Sequence, residues 1–326
     1  MKTKSLVCAA LAATSALLVS AVQAKQLKVL MIGNSFSICV LREMPACAAS
    51  AGETLDLASL YIGGCPLDRH WENVEKAGDP DFKPYNFSYS YASVKDPKDA
   101  PVAKLGKNTN IPQALVADKW DIVTIQQASG KSPFPDSYEP YAGQLIAKIR
   151  ELAPQAEIVI QQTWSYTPYD KRLSTWKMTP ADMHVALKKA YAQLAERYGL
   201  RIIPTGDAVQ MYRARLPVDY GTPLDRAQIA ALAEPALIDF HGDVTGRSHW
   251  GKGSKSEKDH EKHRLRIDAA HLNSEGHYLQ ALVWQAALFG TDVTKLAYRP
   301  EALSEEKAVL MRHCAMAAVR GGWKQN

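Results

Sequence analysis

The feature that most constrains this chain is a series of short apolar runs separated by longer amphipathic stretches. Residues 27–32 (LKVLMI) form the first run, apolar except for Lys28. A nearly continuous run of this length reads as a strand buried on both faces, the condition of a parallel strand inside a layered sheet. Similar runs recur at 55–61 (LDLASLY), 121–125 (DIVTI), 157–161 (EIVIQ) and 201–204 (RIIP). Helical stretches lie between them near 40–51, 111–117, 138–152 and 180–198, and two more follow near 274–289 and 300–320. Strands that alternate with helices are joined by crossovers. The pattern therefore predicts a three-layer, doubly wound α/β fold around a five-stranded parallel sheet.

Two stretches break the rhythm. Residues 66–109 are polar and aromatic and carry a Tyr-rich alternation (NFSYSYAS, 86–93), which suits a hairpin. Residues 217–266 include a His- and Lys-rich run (RSHWGKGSKSEKDHEKHR, 247–264). Both read as insertions into a single domain covering 25–326, and long insertions in such folds are usually functional or flexible. Hydrophobic residues make up 46% and charged residues 22%, enough for a core that needs no disulfide scaffold.

Residues 1–24 read as an export signal. Lys2 and Lys4 precede an apolar stretch at 5–20, and Val22-Gln23-Ala24 has the small residues of a cleavage site, so cleavage is expected after Ala24. The stretch is shorter than the ~20 apolar residues of a spanning helix, which weighs against a retained anchor. Cys8 lies too early for a lipoprotein. The mature chain is expected in the periplasm or outside the cell, with no stable membrane insertion. Losing Lys2 and Lys4 lowers the formal charge from +5 to +3, too mild an excess to point to nucleic acid. Export permits disulfides among Cys39, Cys47, Cys65 and Cys314. Cys39 and Cys47, however, sit about 12 Å apart along a helix, beyond bridging distance. Buried thiols are the expectation.

In open α/β sheets, ligands bind beyond the carboxyl ends of the strands. Gly33-Asn34-Ser35-Phe36-Ser37 follows the first run, Gly63-Gly64-Cys65 the second, Gln126-Gln127-Ala128-Ser129 the third and Gln162-Thr163-Trp164-Ser165-Tyr166 the fourth. Beyond the basic insertion comes Asp268-Ala269-Ala270-His271-Leu272-Asn273. In this order, MIGNSFS, YIGGCPLDRHW, DIVTIQQAS, QTWSY and DAAHLNSEGHY resemble the SGNH (GDSL-like) hydrolases. Among these they look like a bacterial branch known mainly as a domain of unknown function. The resemblance covers about residues 28–289.

That resemblance implies a flavodoxin-like fold and acyl-ester hydrolysis. Ser35 would be the nucleophile and His271 its base, with Asp268 fixing the His271 tautomer and stabilising its cation. The oxyanion hole would combine the backbone N–H groups of Ser35 and Gly64 with the side-chain amide of Gln126, or of Gln127 beside it. His70 and Trp164 are expected to contact substrate, Trp164 as an aromatic wall for a sugar ring. No cofactor and no metal are implied. The expected substrate is a small-molecule or glycan acyl ester, most simply an acetyl ester. Thioesterases and lipases share the fold, and the polar insertions weigh against an apolar acyl channel. This sequence departs from the best-known members in two places: Asn34 stands where they carry Asp, and Gln126 where they carry Asn.

Plainer roles are open to the same residues. Ser35 and Ser37 suit helix N-caps, and Ser37 is a rival nucleophile. Asp268 and His271 can simply lead into the C-terminal helix, capped by Asn273 or Ser274. Gly63 and Gly64 can serve a turn, Cys65 has no second base, and His70 and Trp164 suit packing. His241, Asp243, His249, His260 and His263 match no compact zinc spacing. They read as a solvated polar loop rather than the centre of a metal-dependent hydrolase. Ser35 follows the first strand and lacks the Gly-x-Ser-x-Gly elbow of the α/β-hydrolases. A non-catalytic glycan-binding protein on the same scaffold is the alternative of another class, and it predicts an incomplete triad.

Overall fold

The computed structural model of the chain describes residues 25–215, 223–253, 258 and 260–321. The expected signal at 1–24 and part of the insertion at 217–266 lie outside the described residues. Strands β1 (Gln26–Gly33), β2 (Thr54–Tyr61), β3 (Tyr85–Tyr91), β4 (Asn108–Thr109), β5 (Ile122–Ile125), β6 (Glu157–Gln161) and β7 (Arg201–Ile203) form one sheet. Its order is β4-β3-β2-β1-β5-β6-β7. The five apolar runs pair in parallel as expected. Residues of β1, β5 and β6 are buried on both faces, which explains why these runs are continuous rather than alternating.

The sheet is two strands wider than expected. β3 pairs antiparallel with β2 and β4 antiparallel with β3, so the first insertion extends the sheet edge. The alternation in β3 follows the pleat: Tyr85, Phe87 and Tyr91 are buried, while Asn86 and Ser88 are exposed.

The helices are α1 (Ser35–Ile38), α2 (Val40–Ser50), α3 (Leu67–Glu75), α4 (Ile111–Leu115), α5 (Tyr141–Leu152), α6 (Lys171–Trp176), α7 (Pro180–Tyr198), α8 (Thr205–Arg213), α9 (Arg226–Ala231), α10 (Ser274–Phe289) and α11 (Glu305–Val319). None among the described residues is long and apolar enough to cross a membrane. α3 and α8 fall where no helix is expected, and α11 starts five residues later than the sequence suggests, capped by Ser304.

A separate antiparallel ribbon, β8 (Thr245–Gly251) and β9 (Arg264–Leu272), emerges from the second insertion. It docks on the loop leaving β6: Thr167 N donates to Ala269 O and Trp164 Nε1 to Ala270 O, both at 2.9 Å. α10 follows at once, with Asn273 as its N-cap accepting from Gly276 N at 3.0 Å. α10 is buried nearly all round, as a helix apolar on every face must be.

Candidate active site

β1 lies between β2 and β5. The chain leaves β1 toward one side of the sheet and later returns on the other, and that reversal opens a crevice beyond the carboxyl end of β1. Ser35 stands there, on the first turn of α1. The turn into it is tight. A Cβ on Gly33 would lie 2.2 Å from Ser37 Oγ and 3.0 Å from Ser37 Cβ, so glycine there leaves room for the Ser37 side chain. Ser37 itself is buried and donates to Asn34 O at 3.0 Å, which removes it as a rival nucleophile.

Asn34 joins three of the sequence blocks. Its Oδ1 accepts from Phe36 N at 3.0 Å, capping α1, and from Gln126 Nε2 at 2.7 Å. Its Nδ2 donates to Cys65 O at 3.0 Å. An aspartate accepts but cannot donate, and this accounts for Asn at the position. The expected role of Gln126 is corrected by the same contacts. Its amide engages Asn34 and the side chain is 1% exposed, so it braces the turn from behind rather than facing an oxyanion. Gln127 is also fully engaged: its Oε1 accepts from Leu67 N and Ala128 N at 3.0 and 2.8 Å, and its Nε2 donates to Ser137 O at 2.8 Å.

Two backbone donors are left in the crevice. Gly64 lies in an exposed loop at φ +60, a conformation that favours glycine. Neither its N–H nor that of Ser35 finds a backbone acceptor among the described residues.

Ser35 Oγ lies 2.8 Å from His271 Nε2. His271 Nδ1 lies 2.9 and 3.0 Å from the two carboxylate oxygens of Asp268. Both residues lie on strand β9. The backbone then bends so that Asp268 Oδ1 also accepts from the N–H groups of Ala270 and His271, at 3.2 and 3.1 Å. Burial alone would raise the Asp268 carboxyl. The hydrogen bond and charge of His271, with these two N–H groups, instead hold it well below the ordinary carboxylate range. From β8, directly across the ribbon, Arg247 Nη2 approaches Asp268 Oδ2 at 3.1 Å.

Trp164 and His70 are corrected as substrate contacts. Trp164 is fully buried; it stacks on Phe36 with ring centroids 4.2 Å apart, and Phe36 packs in turn on the His271 ring at 5.3 Å. Burying an indole contributes roughly 5 kcal/mol of hydrophobic stabilisation, at about 25 cal/mol per Å² over ~200 Å². Trp164 therefore supports the imidazole from below. His70 is also fully buried, with Nδ1 2.8 Å from Tyr85 Oη. Burial, then the nearby charge of Arg69, pushes it down to about 3, so it is neutral.

The cysteines are buried free thiols. Burial pushes Cys65 up to about 12 despite Arg69 nearby, so it carries no thiolate beside Gly64. The five residues of the His-rich stretch do not converge. His263 Nδ1 sits 3.0 Å from Glu234, His260 Nε2 3.3 Å from Glu261 and His241 Nδ1 3.2 Å from Asp239. Among the described residues, no group of three or more His, Cys, Asp or Glu is arranged to hold a metal ion.

Asp243 turns inward instead. Its carboxylate pairs with Arg213 Nε at 3.0 Å, both side chains being nearly inaccessible. Arg213 also donates to Ser165 Oγ at 2.6 Å and to Thr245 Oγ1. This clamp ties α8 and the β6 exit loop to the base of the ribbon. Sequence reasoning missed it because no helix was expected at 205–213; a lone arginine one turn from the apolar Ala208 and Val209 was the available signal.

A family described as a domain of unknown function (DUF4886) matches residues 28–219, a span that includes Ser35 and ends before Asp268. No curated protein matches. Among solved structures, the chain is similar to a DUF4886 family protein from Bacteroides uniformis ATCC 8492, with 24% identity and TM-score 0.68 over 90% of this chain and 95% of that one. It is also similar to a protein from Slackia heliotrinireducens assigned to the SGNH hydrolases, with 18% identity and TM-score 0.41 over 79% and 96%. A third likeness is to the acetyl xylan esterase AlAXEase, with 12% identity and TM-score 0.43 over 80% and 99%. The Bacteroides superposition shows a shared fold.

Proposed function

The chain belongs to the DUF4886 family, and from the geometry of its site we propose that it is a serine hydrolase of the SGNH type that cleaves acyl esters. One observation carries this reading: the unbroken chain from the Ser35 hydroxyl through the His271 ring to the Asp268 carboxylate. Asp268 accepts a hydrogen bond from Nδ1–H of His271, which keeps the proton on Nδ1 and leaves the Nε2 lone pair facing Ser35. His271 takes the hydroxyl proton as Ser35 Oγ attacks the ester carbonyl. The oxyanion that forms meets the N–H groups of Ser35 and Gly64. The tetrahedral adduct collapses to an acyl-Ser35 ester, and His271 returns its proton to the departing alcohol. Water then attacks the acyl group with His271 again as base, and the acid leaves. Asp268, held anionic, stabilises the imidazolium in both halves of the cycle.

The Phe36 and Trp164 rings fill the space beneath the imidazole, which supports a short acyl group such as acetyl. The polar insertions support a polar alcohol portion, carbohydrate included. Export, with cleavage after Ala24, rests on the basic and apolar pattern of residues 1–24. The non-catalytic alternative predicts an incomplete triad, and the Ser35–His271–Asp268 geometry favours hydrolysis over it.

The test is hydrolysis of aryl acetates and acetylated oligosaccharides. Ser35→Ala and His271→Gln should each lower kcat by about a thousandfold or more, and a metal chelator should leave the rate unchanged. A Ser35→Ala variant that retains the wild-type rate overturns the assignment.

A further inference from the structure

The ribbon that carries His271 is irregular at that point. On a regular strand Asp268 and His271, three positions apart, would point to opposite faces. Thr245 pairs with Leu272 and Arg247 with Asp268, so β8 takes two steps where β9 takes four. The extra chain at 269–271 bulges, and the bulge turns the His271 ring back onto Asp268. Gly246 faces it from β8 at φ +87, so closely packed that a Cβ would meet the Phe240 ring. A bulge interrupts the ladder, so the Asp268 carboxylate depends on contacts from outside its own strand.

Arg247 supplies one. It stands directly opposite Asp268 on β8, with Nη2 3.1 Å from Oδ2. Oδ1 is occupied by the bulge itself: it meets His271 Nδ1 at 2.9 Å and the N–H groups of Ala270 and His271 at 3.2 and 3.1 Å. Oδ2 is shared between His271 Nδ1, at 3.0 Å, and Arg247. The guanidinium is 58% exposed, and it reaches the triad through Asp268 alone.

We infer that Arg247 is a positioning residue for the triad, fixing Asp268 beside the bulge and, as a permanent cation, keeping His271 able to accept the Ser35 proton in mild acid. The inference deepens the serine-hydrolase reading above and rests on it. The opposite charges form a cross-strand pair that stops the carboxylate swinging away from the ring. The pair also takes up carboxylate charge that would otherwise stabilise the imidazolium, and a guanidinium never gives up its own proton. The protonated, inactive ring is thereby disfavoured, so activity extends to lower pH. Other groups face the same region. Arg266 and His249 form the next ion-bearing pair along the ribbon. His277, on α10, meets the Leu272 backbone and is pushed down to about 4, by burial first and then by Arg42 of α2 and Arg247. It stays neutral across the range tested, and none of these residues is altered in the variants.

The experiment follows kcat/KM for an uncharged aryl acetate from about pH 5 to pH 8, the range in which an imidazole titrates. Arg247→Gln should raise the pH of half-maximal rate by about half a unit at low salt, the effect of one exposed charge at this range. Plateau kcat should fall several-fold with KM unchanged, because Arg247 acts through Asp268 and not on the substrate. Arg247→Lys, which keeps the charge, should hold the half-maximal pH near that of wild type. High salt should close the gap between wild type and Arg247→Gln. Coincident half-maximal pH values for wild type and Arg247→Gln, a gap that salt leaves intact, or a change confined to KM each overturns the role of Arg247 and leaves the hydrolase standing. If the acetate does not turn over, the rate of Ser35 labelling by a fluorophosphonate against pH reads the same shift. A Ser35 that never labels overturns the hydrolase reading and the inference with it.

Discussion

At Asn34 one buried amide serves the Ser35 turn, the Gly64 loop and the end of β5 together. Asn34→Asp keeps the shape but replaces a donor with a second acceptor against Cys65 O. Leaving that carbonyl unpaired costs about 1–3 kcal/mol, and the buried carboxylate adds to it. Urea unfolding should show the variant less stable by at least that amount, with Ser35 acylating more slowly; equal stability would refute the hub role. The sequence marked Ser35, Asp268 and His271 because their chemistry is distinctive in type and order. It could not orient Trp164, His70 or Gln126. An aromatic or amide side chain just past a strand end can face the crevice or the core, and only the packed neighbours decide. Trp164 stacks on Phe36, His70 meets Tyr85 and Gln126 meets Asn34.

Among elements, those with local punctuation were the most legible. α7 and α10 span the residues read from sequence. Thr179 and Asp182 form a capping box before α7 and Gly199 ends it; Asn273 and Gly290 bracket α10. α3 was not legible because its buried face mixes Leu67 and Val74 with His70 and Asn73, which hides the apolar period. The β8–β9 ribbon was illegible for a related reason: its strands are half-exposed and polar, and its hold on the molecule comes from non-local contacts. Chief among these is the Arg213–Asp243 clamp. Removing one partner of a buried pair leaves the other charge uncompensated, at about 3–5 kcal/mol. Arg213→Met should lose that much in urea unfolding and lower kcat more than it raises KM, since the ribbon carries His271. Adding Asp243→Asn should recover part of the stability. A single variant within 0.5 kcal/mol of wild type would show that the clamp does not hold the ribbon.

On the scale of the whole molecule, the parallel order β2-β1-β5-β6-β7 puts the crevice that holds Ser35 at the sheet's reversal. The five parallel strands followed from five apolar runs, though not their order; the alternation at 86–93 marked extended chain, while its pairing onto β2 is a long-range contact that no local pattern encodes. The same core sets the response to acid. His70 and His277 are pushed down to about 3 and about 4 from 6.5. Below pH 6.5 the unfolded chain therefore binds protons that the folded chain refuses, and stability falls with pH. His70 accounts for about 3 kcal/mol between pH 7 and pH 4, with less from the partly open His277. Asp268 acts in the same sense but lower down: its folded-state carboxyl is held below the ordinary range, so its stabilisation is present above about pH 4 and is lost as pH falls below that. Urea midpoints across this range should decline, and His70→Gln should flatten the slope; an unchanged slope would contradict the account. The central claim concerns Ser35 itself, and it is tested most directly by mass spectrometry after treatment with a fluorophosphonate. The account predicts one adduct per chain, on the peptide carrying Ser35, absent in Ser35→Ala and formed far more slowly in His271→Gln. An adduct on another residue, or one undiminished in Ser35→Ala, would contradict it.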